Sequence, residues 1–562
     1  MLFHLREAAF SGAISGYRKH IVGLIAVCFS GIAVALPLPV LESPIDSDPV
    51  VIDSGLVSGT VLPSGVRAYL GIPFAAPPVR ELRWEAPQPV ESWDGVYYAT
   101  RLPTACMQTQ RASDINHYFG AESYSEDCLY LNVWAPEGRD LSDLPVVVWI
   151  YGGAFNVGSS AMRNYSGEFL PEKDVIVVSM NYRVGVFGYM AHPELSAETD
   201  YEGSGNYGFM DQLAALEWIQ NNIEQFGGDP DNVMLVGQSA GSMSISVLQA
   251  SPLSEGLFHK AFGMSGSLLA DGNFGSFAQV EELEQGGLAL QEALEADSIE
   301  EMRALAADVV FDAARQNRVR TGPAIDGYVL PDTPREIFAR GEQTDAAIVL
   351  GYTRDEAFSG LGRGAGNADE LHAAVAVAYP QSADVLVEAY LDAADQDVGR
   401  AAMDLARDSS MGLAQWTWAD LQASTGTEPV FAYFYSKVHP YAEGVEFRDH
   451  NPQTAGAYHT GEVPYFLQTM DYYNLFRETR TWTQYDRDLS ELMSDTLVNF
   501  AKTGNPSVSG LTWPAFDAEN PQMIEFGEEV KLINWPHAAQ LELFRNVQPQ
   551  PLQRSPEGGA RD

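Results

Sequence analysis

The stretch Asn232-Val-Met-Leu-Val-Gly-Gln-Ser-Ala-Gly-Ser242 decides how the rest of the chain is read. Val233 to Val236 form a continuous apolar run, the pattern of a strand buried on both faces. Gly237-Gln238-Ser239-Ala240-Gly241 then matches G-x-S-x-G, a tight turn in which a strand reverses into a helix and presents a serine at its tip. The two glycines have a steric reason. Such a reversal brings neighbouring backbone so close that a Cβ does not fit. Ser239 becomes the candidate nucleophile, in strained backbone at a helix N-terminus, with Ser242 to Gln249 as the helix that follows. With 50 glycines among 562 residues the bare pattern can arise by chance, so the flanking elements and the partners elsewhere must carry the argument.

Working outward, Gly205-Asn-Tyr-Gly-Phe-Met-Asp-Gln212 opens a helical pattern upstream. Phe209, Leu213, Leu216, Ile219, Ile223 and Phe226 recur at helical spacing and predict one apolar face for packing on a sheet. Phe226-Gly-Gly-Asp-Pro230 stops it. Further back, Val146 to Ile150 and Val175 to Ser179 read as buried strands. The first runs into a glycine-rich turn within Leu144-Pro-Val-Val-Val-Trp-Ile-Tyr-Gly-Gly-Ala-Phe155. Ser125-Glu-Asp-Cys-Leu-Tyr-Leu-Asn-Val-Trp134 alternates Leu129, Leu131 and Val133 against Tyr130, Asn132 and Trp134, which suits a strand.

Bulk properties narrow the class. The length suits one large α/β domain or a few ordinary ones, and 46% hydrophobic residues are ample for a packed core. The formal net charge of −43 argues against nucleic acid and anionic membrane surfaces as partners. It also raises adaptation to salt, because self-repulsion weakens a compact state unless it is screened. No C-x-x-C, H-E-x-x-H, EF-hand loop or P-loop occurs, so neither a metal nor a cofactor is inferred. Arg18, Lys19 and His20 precede the apolar run Ile21 to Ala35, and Ala33-Val34-Ala35 gives a small-x-small cleavage pattern. Residues 1–35 are read as a secretory signal peptide with an unusually long basic region, so no membrane span is expected after cleavage and a secreted or periplasmic location follows. Leu36 to Pro49 reads as a linker, and 548–562 as a disordered tail.

With Tyr69-Leu-Gly-Ile-Pro-Phe-Ala-Ala-Pro-Pro78 added to the segments above, the chain resembles a type-B carboxylesterase, the cholinesterase-like branch of the α/β-hydrolases. The match is near-unbroken from Gly205 to Gly241. The resemblance implies an α/β-hydrolase fold over residues 50–547, a central mostly parallel sheet flanked by helices, with helical cap insertions at about 280–320 and 368–420. It implies a disulfide between Cys106 and Cys128, two free thiols being the alternative. It makes Gly153, Ala154 and Ala240 the backbone donors of an oxyanion hole, with Gly237, Gln238 and Gly241 framing the nucleophile. Ala154 stands where most relatives carry glycine, and its N–H is retained. Arg183 is expected to be a structural ion-pair residue, and Ser265 a supporting one near the site.

The remaining partners follow in chain order. Ala346-Ala-Ile-Val-Leu-Gly-Tyr-Thr-Arg-Asp-Glu356 reads as a strand ending in two acids. Adjacent residues of an extended chain point to opposite sides, so only one of Asp355 and Glu356 can reach a given histidine. The family motif favours Glu356. His459, in Gly456-Ala-Tyr-His-Thr-Gly-Glu-Val-Pro-Tyr-Phe466, has the matching context, with His439 and His450 as nearby rivals. The order Ser, Glu, His is that of α/β-hydrolases. The implied activity is that of a secreted serine esterase acting on a small-molecule carboxylic ester through an acyl-enzyme. Ser239 would be the nucleophile, His459 the general base and acid, and Glu356 the residue that orients it. A catalytically inactive adhesion module and a lipase acting on insoluble lipid are the other readings. The loop from Cys106 to Cys128 contains no tryptophan, and Tyr118 and Phe119 offer only a weaker cation–π surface, so poor choline-ester turnover is expected.

Overall fold

The computed structural model describes residues 44–45, 47–109, 123–136, 142–270 and 277–547. The leader at 1–35, Tyr118, Phe119 and the tail from 548 lie outside the described residues. So does most of the expected linker. Its last part is already bound into the fold. The Asp48 carboxylate accepts from Gly59 N at 2.6 Å and from Tyr69 Oη at 2.7 Å, so the folded body begins before residue 50.

Eleven strands form one sheet. In chain order they are β1 (Thr60–Val61), β2 (Arg67–Pro73), β3 (Tyr130–Ala135), β4 (Leu144–Ile150), β5 (Ile176–Met180) and β6 (Gly228–Gln238). Then follow β7 (Lys260–Met264), β8 (Ala347–Thr353), β9 (Val430–Tyr435), β10 (Gln522–Phe526) and β11 (Val530–Asn534). The spatial order is β11-β10-β9-β8-β7-β6-β4-β5-β3-β2-β1. From β5 through β10 each neighbour pair is parallel. The pairs β5–β3, β3–β2 and β2–β1 at one end and β10–β11 at the other are antiparallel. Every residue of β4, β8 and β9 is buried, as their unbroken apolar runs require of strands covered on both faces.

Helices α1 (Tyr207–Asn222), α2 (Ala240–Ala250), α3 (Leu413–Thr425) and α4 (Gln484–Thr503) include those that flank the sheet. Helix α1 departs from the expected single apolar face. Met210, Asp211, Gln212 and Trp218 are buried along with the predicted stripe, and only a narrow strip through Glu217 and Asn221 meets solvent. The buried Asp211 is held by a bidentate pair with Arg183, Nε to Oδ2 at 2.8 Å and Nη2 to Oδ1 at 2.7 Å. Arg183 is thus the structural ion-pair residue expected. Helix α4 opens with a reciprocal capping box between Thr483 and Asp486 and ends at Gly504 in the left-handed region.

The first segment expected as an insertion contains helices Val280–Ala293, Ile299–Ala304 and Ala307–Gln316. The second contains Ala368–Ala378, Ala383–Ala393 and Val398–Arg407. Its expected boundary at 420 needs correction, because it cuts through α3, which lies on the sheet. Trp418 of α3 is fully buried against Gly263 of β7, and its Nε1 donates to Gln249 Oε1 of α2 at 3.0 Å. A π-helical turn, Asp408–Gly412, leads from the insertion into α3.

Candidate active site

The residues picked from the sequence meet at the carboxyl edge of the parallel strands, where open α/β sheets place their ligands. Strand β6 runs straight into α2 through Ser239, whose backbone has φ 56° and ψ −123°. A non-glycine residue in that region costs about 1–3 kcal/mol and persists only where its surroundings fix it. Here Ser239 N donates to Met264 O of β7 at 2.8 Å. A Cβ on Gly241 would lie 2.0 Å from Ile150 O, and one on Gly237 2.5 Å from the Gly241 carbonyl. The elbow therefore exists because those two atoms are missing.

After β4, the turn Gly153-Ala154-Phe155 has three successive positive φ values, 132°, 54° and 59°. A Cβ on Gly153 would meet Val157 O at 2.0 Å. The N–H groups of Gly153 and Ala154 donate to no acceptor among the described residues, and Ala240 N stands at the start of α2. The Ala154 N–H that replaces the family's glycine is present, on an exposed residue in the left-handed region.

Glu356 follows β8 by three residues and is buried. Its Oε1 accepts from Thr353 N at 2.8 Å, and its Oε2 receives the His459 Nδ1 proton across 2.5 Å. With Nδ1 committed as donor, Nε2 of His459 is an acceptor, and Gln238 Nε2 donates to it at 3.0 Å. No hydrogen bond joins Ser239 Oγ to His459 among the described residues. The amide of the residue before the nucleophile occupies that place. Phe358 packs edge-to-face on the His459 ring, centroids 4.4 Å apart. Asp355, the rival acid, turns the other way. It accepts from Ala457 N at 2.8 Å and from Arg400 Nη1 at 2.7 Å. The rival histidines are also occupied. His439 Nε2 donates to Gly461 O at 2.7 Å, and burial, then the Arg480 charge, hold this ring well below the usual imidazole range. His450 is bonded to Tyr441 Oη and is held down at about 4, by burial first and Arg480 second.

Sequence reasoning missed Glu462. It lies three residues past His459, is fully buried, and its Oε2 has no partner among the described residues. Ser265 Oγ donates to its other oxygen at 3.3 Å, which gives the expected supporting serine a definite contact. Burial, then the charge of Glu356, push the Glu462 carboxyl up to about 8. A carboxyl in H-x-x-E reads as a surface acid, and only the folding of this loop buries it. Cys106 and Cys128 are joined by a disulfide. Among the described residues no group of His, Cys, Asp and Glu side chains is arranged to hold a metal ion.

A strained serine at a strand–helix turn, a carboxylate–histidine pair beside it and free backbone N–H groups opposite define a hydrolase site on an α/β-hydrolase fold. The comparisons agree with that class. The model of the carboxylesterase family matches residues 46–544, and the chain belongs to that family. It is 33% identical over 520 residues to a fumonisin B1 esterase of Sphingopyxis macrogoltabida, covering 90% of this chain and 92% of that one. It is 32% identical to a para-nitrobenzyl esterase of Bacillus subtilis (strain 168), covering 86% and 96%. A solved PNB esterase structure superposes with a TM-score of 0.74 at 31% identity, covering 88% of this chain and 98% of the other. The activity of this chain is carboxylic ester hydrolysis.

Proposed function

We propose that the chain is a secreted serine esterase that cleaves small carboxylic esters through an acyl-enzyme on Ser239. The observation that carries this reading is the His459 Nδ1–Glu356 Oε2 hydrogen bond of 2.5 Å beside the strained Ser239. It commits one imidazole nitrogen as donor and leaves the other as base. In the first half-reaction Ser239 Oγ rotates to His459 Nε2, displacing the Gln238 amide, and passes its proton there as it attacks the ester carbonyl. The oxygen that becomes negative is received by the N–H groups of Gly153, Ala154 and Ala240, each such donor worth roughly 3–4 kcal/mol in the transition state. Glu356 stabilises the imidazolium, which then gives its proton to the leaving alcohol. Water repeats the sequence to free the acid.

Substrate choice is read from the same residues. Gln238 brings no charge to the pocket, and the disulfide loop brings no tryptophan, so a neutral ester fits better than a choline ester. Secretion is supported by the leader-like segment and by a disulfide, which persists in oxidising compartments. It predicts that protein recovered outside the cytoplasm begins just after Ala35. The activity test is hydrolysis of p-nitrophenyl butyrate by the wild type and by Ser239→Ala. Loss in the variant on the order of 10⁵-fold is expected for removal of a nucleophile acting with its base as a unit. Equal rates in the two proteins would discard the assignment, and acetylthiocholine turnover equal to that of an aryl acetate would discard the substrate reading.

A further inference from the structure

Asp355 is the acid that the triad does not use, and its contacts are those of a clamp. Its N–H donates to Ala457 O at 3.0 Å, and its Oδ2 accepts from Ala457 N at 2.8 Å. These two bonds close a ring between the residue before Glu356 and the residue two before His459. Gly456, at φ 59°, lies so near that a Cβ there would stand 2.1 Å from Asp355 Oδ2. The carboxylate is anchored from behind. Arg400 Nη1 donates to Oδ1 at 2.7 Å and Arg354 Nε to Oδ2 at 2.9 Å. Arg400 belongs to the insertion helix Val398–Arg407, whose Arg407 Nη1 donates to Arg354 O at 3.0 Å. Asp404, on that same helix, pairs with both arginines. One helix thus grips the two residues that precede Glu356.

We propose that Asp355 is a positioning residue for the catalytic histidine: it sets the distance between the Glu356 and His459 loops, and Arg400 holds it in place. Neighbouring acids then divide two tasks. Glu356 bonds the imidazole, and Asp355 bonds the backbone that carries it. The inference rests on His459 as the general base of the proposed esterase. A triad bond is sensitive to displacement, and a shift of about 1 Å can cost 10²-fold in rate.

The test reads the short bond directly and activity separately. The proton between His459 Nδ1 and Glu356 gives a ¹H NMR resonance far downfield of the amides in the wild type. Asp355→Ala is expected to lose that resonance and about 100-fold in kcat on p-nitrophenyl butyrate, with KM changed less than about threefold. Asp355→Asn keeps an oxygen for Ala457 N but turns its amide nitrogen toward Arg400, so it should retain the resonance with a kcat clearly above that of Asp355→Ala, and Arg400→Met, which leaves the carboxylate in place, should fall between Asp355→Asn and wild type. Gly456→Ala pushes the carboxylate off from the other side and should lose the resonance without touching Asp355, which keeps the test alive if Asp355→Ala does not fold. An unchanged resonance in Asp355→Ala or in Gly456→Ala overturns the proposal, as does an Asn variant no better than the Ala variant. A wild type that shows the resonance but hydrolyses nothing overturns the esterase reading, and the variants' resonances still decide on the clamp.

Discussion

The nucleophile elbow and the histidine loop lie together at one edge of the sheet and are held by opposite means. The elbow is fixed by absent atoms. Gly237 and Gly241 let β6, α2 and the end of β4 approach to distances no Cβ allows, and Ser239 is tied through its backbone, its N–H to Met264 O and its carbonyl to Met243 N. The loop from Gly456 to Glu462 has neither strand nor helix around the histidine and is fixed by side chains from distant segments. Asp355 holds Ala457, Glu356 holds His459, His439 holds Gly461 O, and Ser265 meets Glu462. Packing of this first kind is broken by adding atoms and ignores pH. The second kind is broken by removing an acceptor or moving a proton.

Four changes act on the two regions differently. Glu356→Gln leaves the packing of the loop intact but cannot fix the imidazole tautomer, so kcat should fall by about 10⁴-fold, as in other triads. Steady-state kinetics on p-nitrophenyl butyrate measure it, and a loss below about tenfold would remove Glu356 from the site. Gly241→Ala places a methyl 2.0 Å from Ile150 O, where backbone must move. Overpacking of this kind costs about 3 kcal/mol or more, readable in urea unfolding at constant pH. A variant of wild-type stability would mean the elbow has slack.

The third change separates the regions by pH. Glu462 binds its proton more tightly in the folded chain, at about 8 against 4.5 for the free group, because it is buried and faces the charge of Glu356. A raised carboxyl contributes stability that is complete below the unfolded value and is lost as pH rises toward the folded one. The wild-type melting temperature should therefore fall between about pH 5 and 8 relative to Glu462→Gln, which carries no proton to lose. Parallel pH profiles for the two proteins by calorimetry would show that Glu462 does not titrate in this range. The smallest effect concerns the whole surface. With a net charge of −43, screening should raise the melting temperature by a few degrees between low and molar salt. No rise would end the case for salt adaptation.

The same contrast explains what the sequence made legible. Val146 to Ile150 and Val233 to Val236 are continuous apolar runs, and both became central parallel strands with their functional turns attached. Ser239 is legible as a candidate nucleophile because its pattern is local, a strand followed at once by a turn, whereas the donor role of Gly153 and Ala154 comes with the family resemblance. His459 and Glu356 needed the family resemblance, since nothing within a few residues marks either one. What could not be read was set by contacts between distant segments: the Gln238 amide on His459 Nε2, the burial of Glu462, and the Asp355 clamp on Ala457. The start of helix α3 reads as part of the insertion because the stretch 368–420 is helix-rich throughout, and contacts such as Trp418 against Gly263 and Gln249 show that it belongs to the sheet.

An acyl-enzyme mechanism requires a covalent intermediate on Ser239. The most direct measurement is acid quench of the enzyme during turnover of p-nitrophenyl butyrate, followed by peptide mass spectrometry. One butyryl group is expected on the peptide that carries Ser239 in the wild type and none in Ser239→Ala. A butyryl group on any other residue, or rapid turnover with no acylated peptide in the quenched wild type, would contradict it.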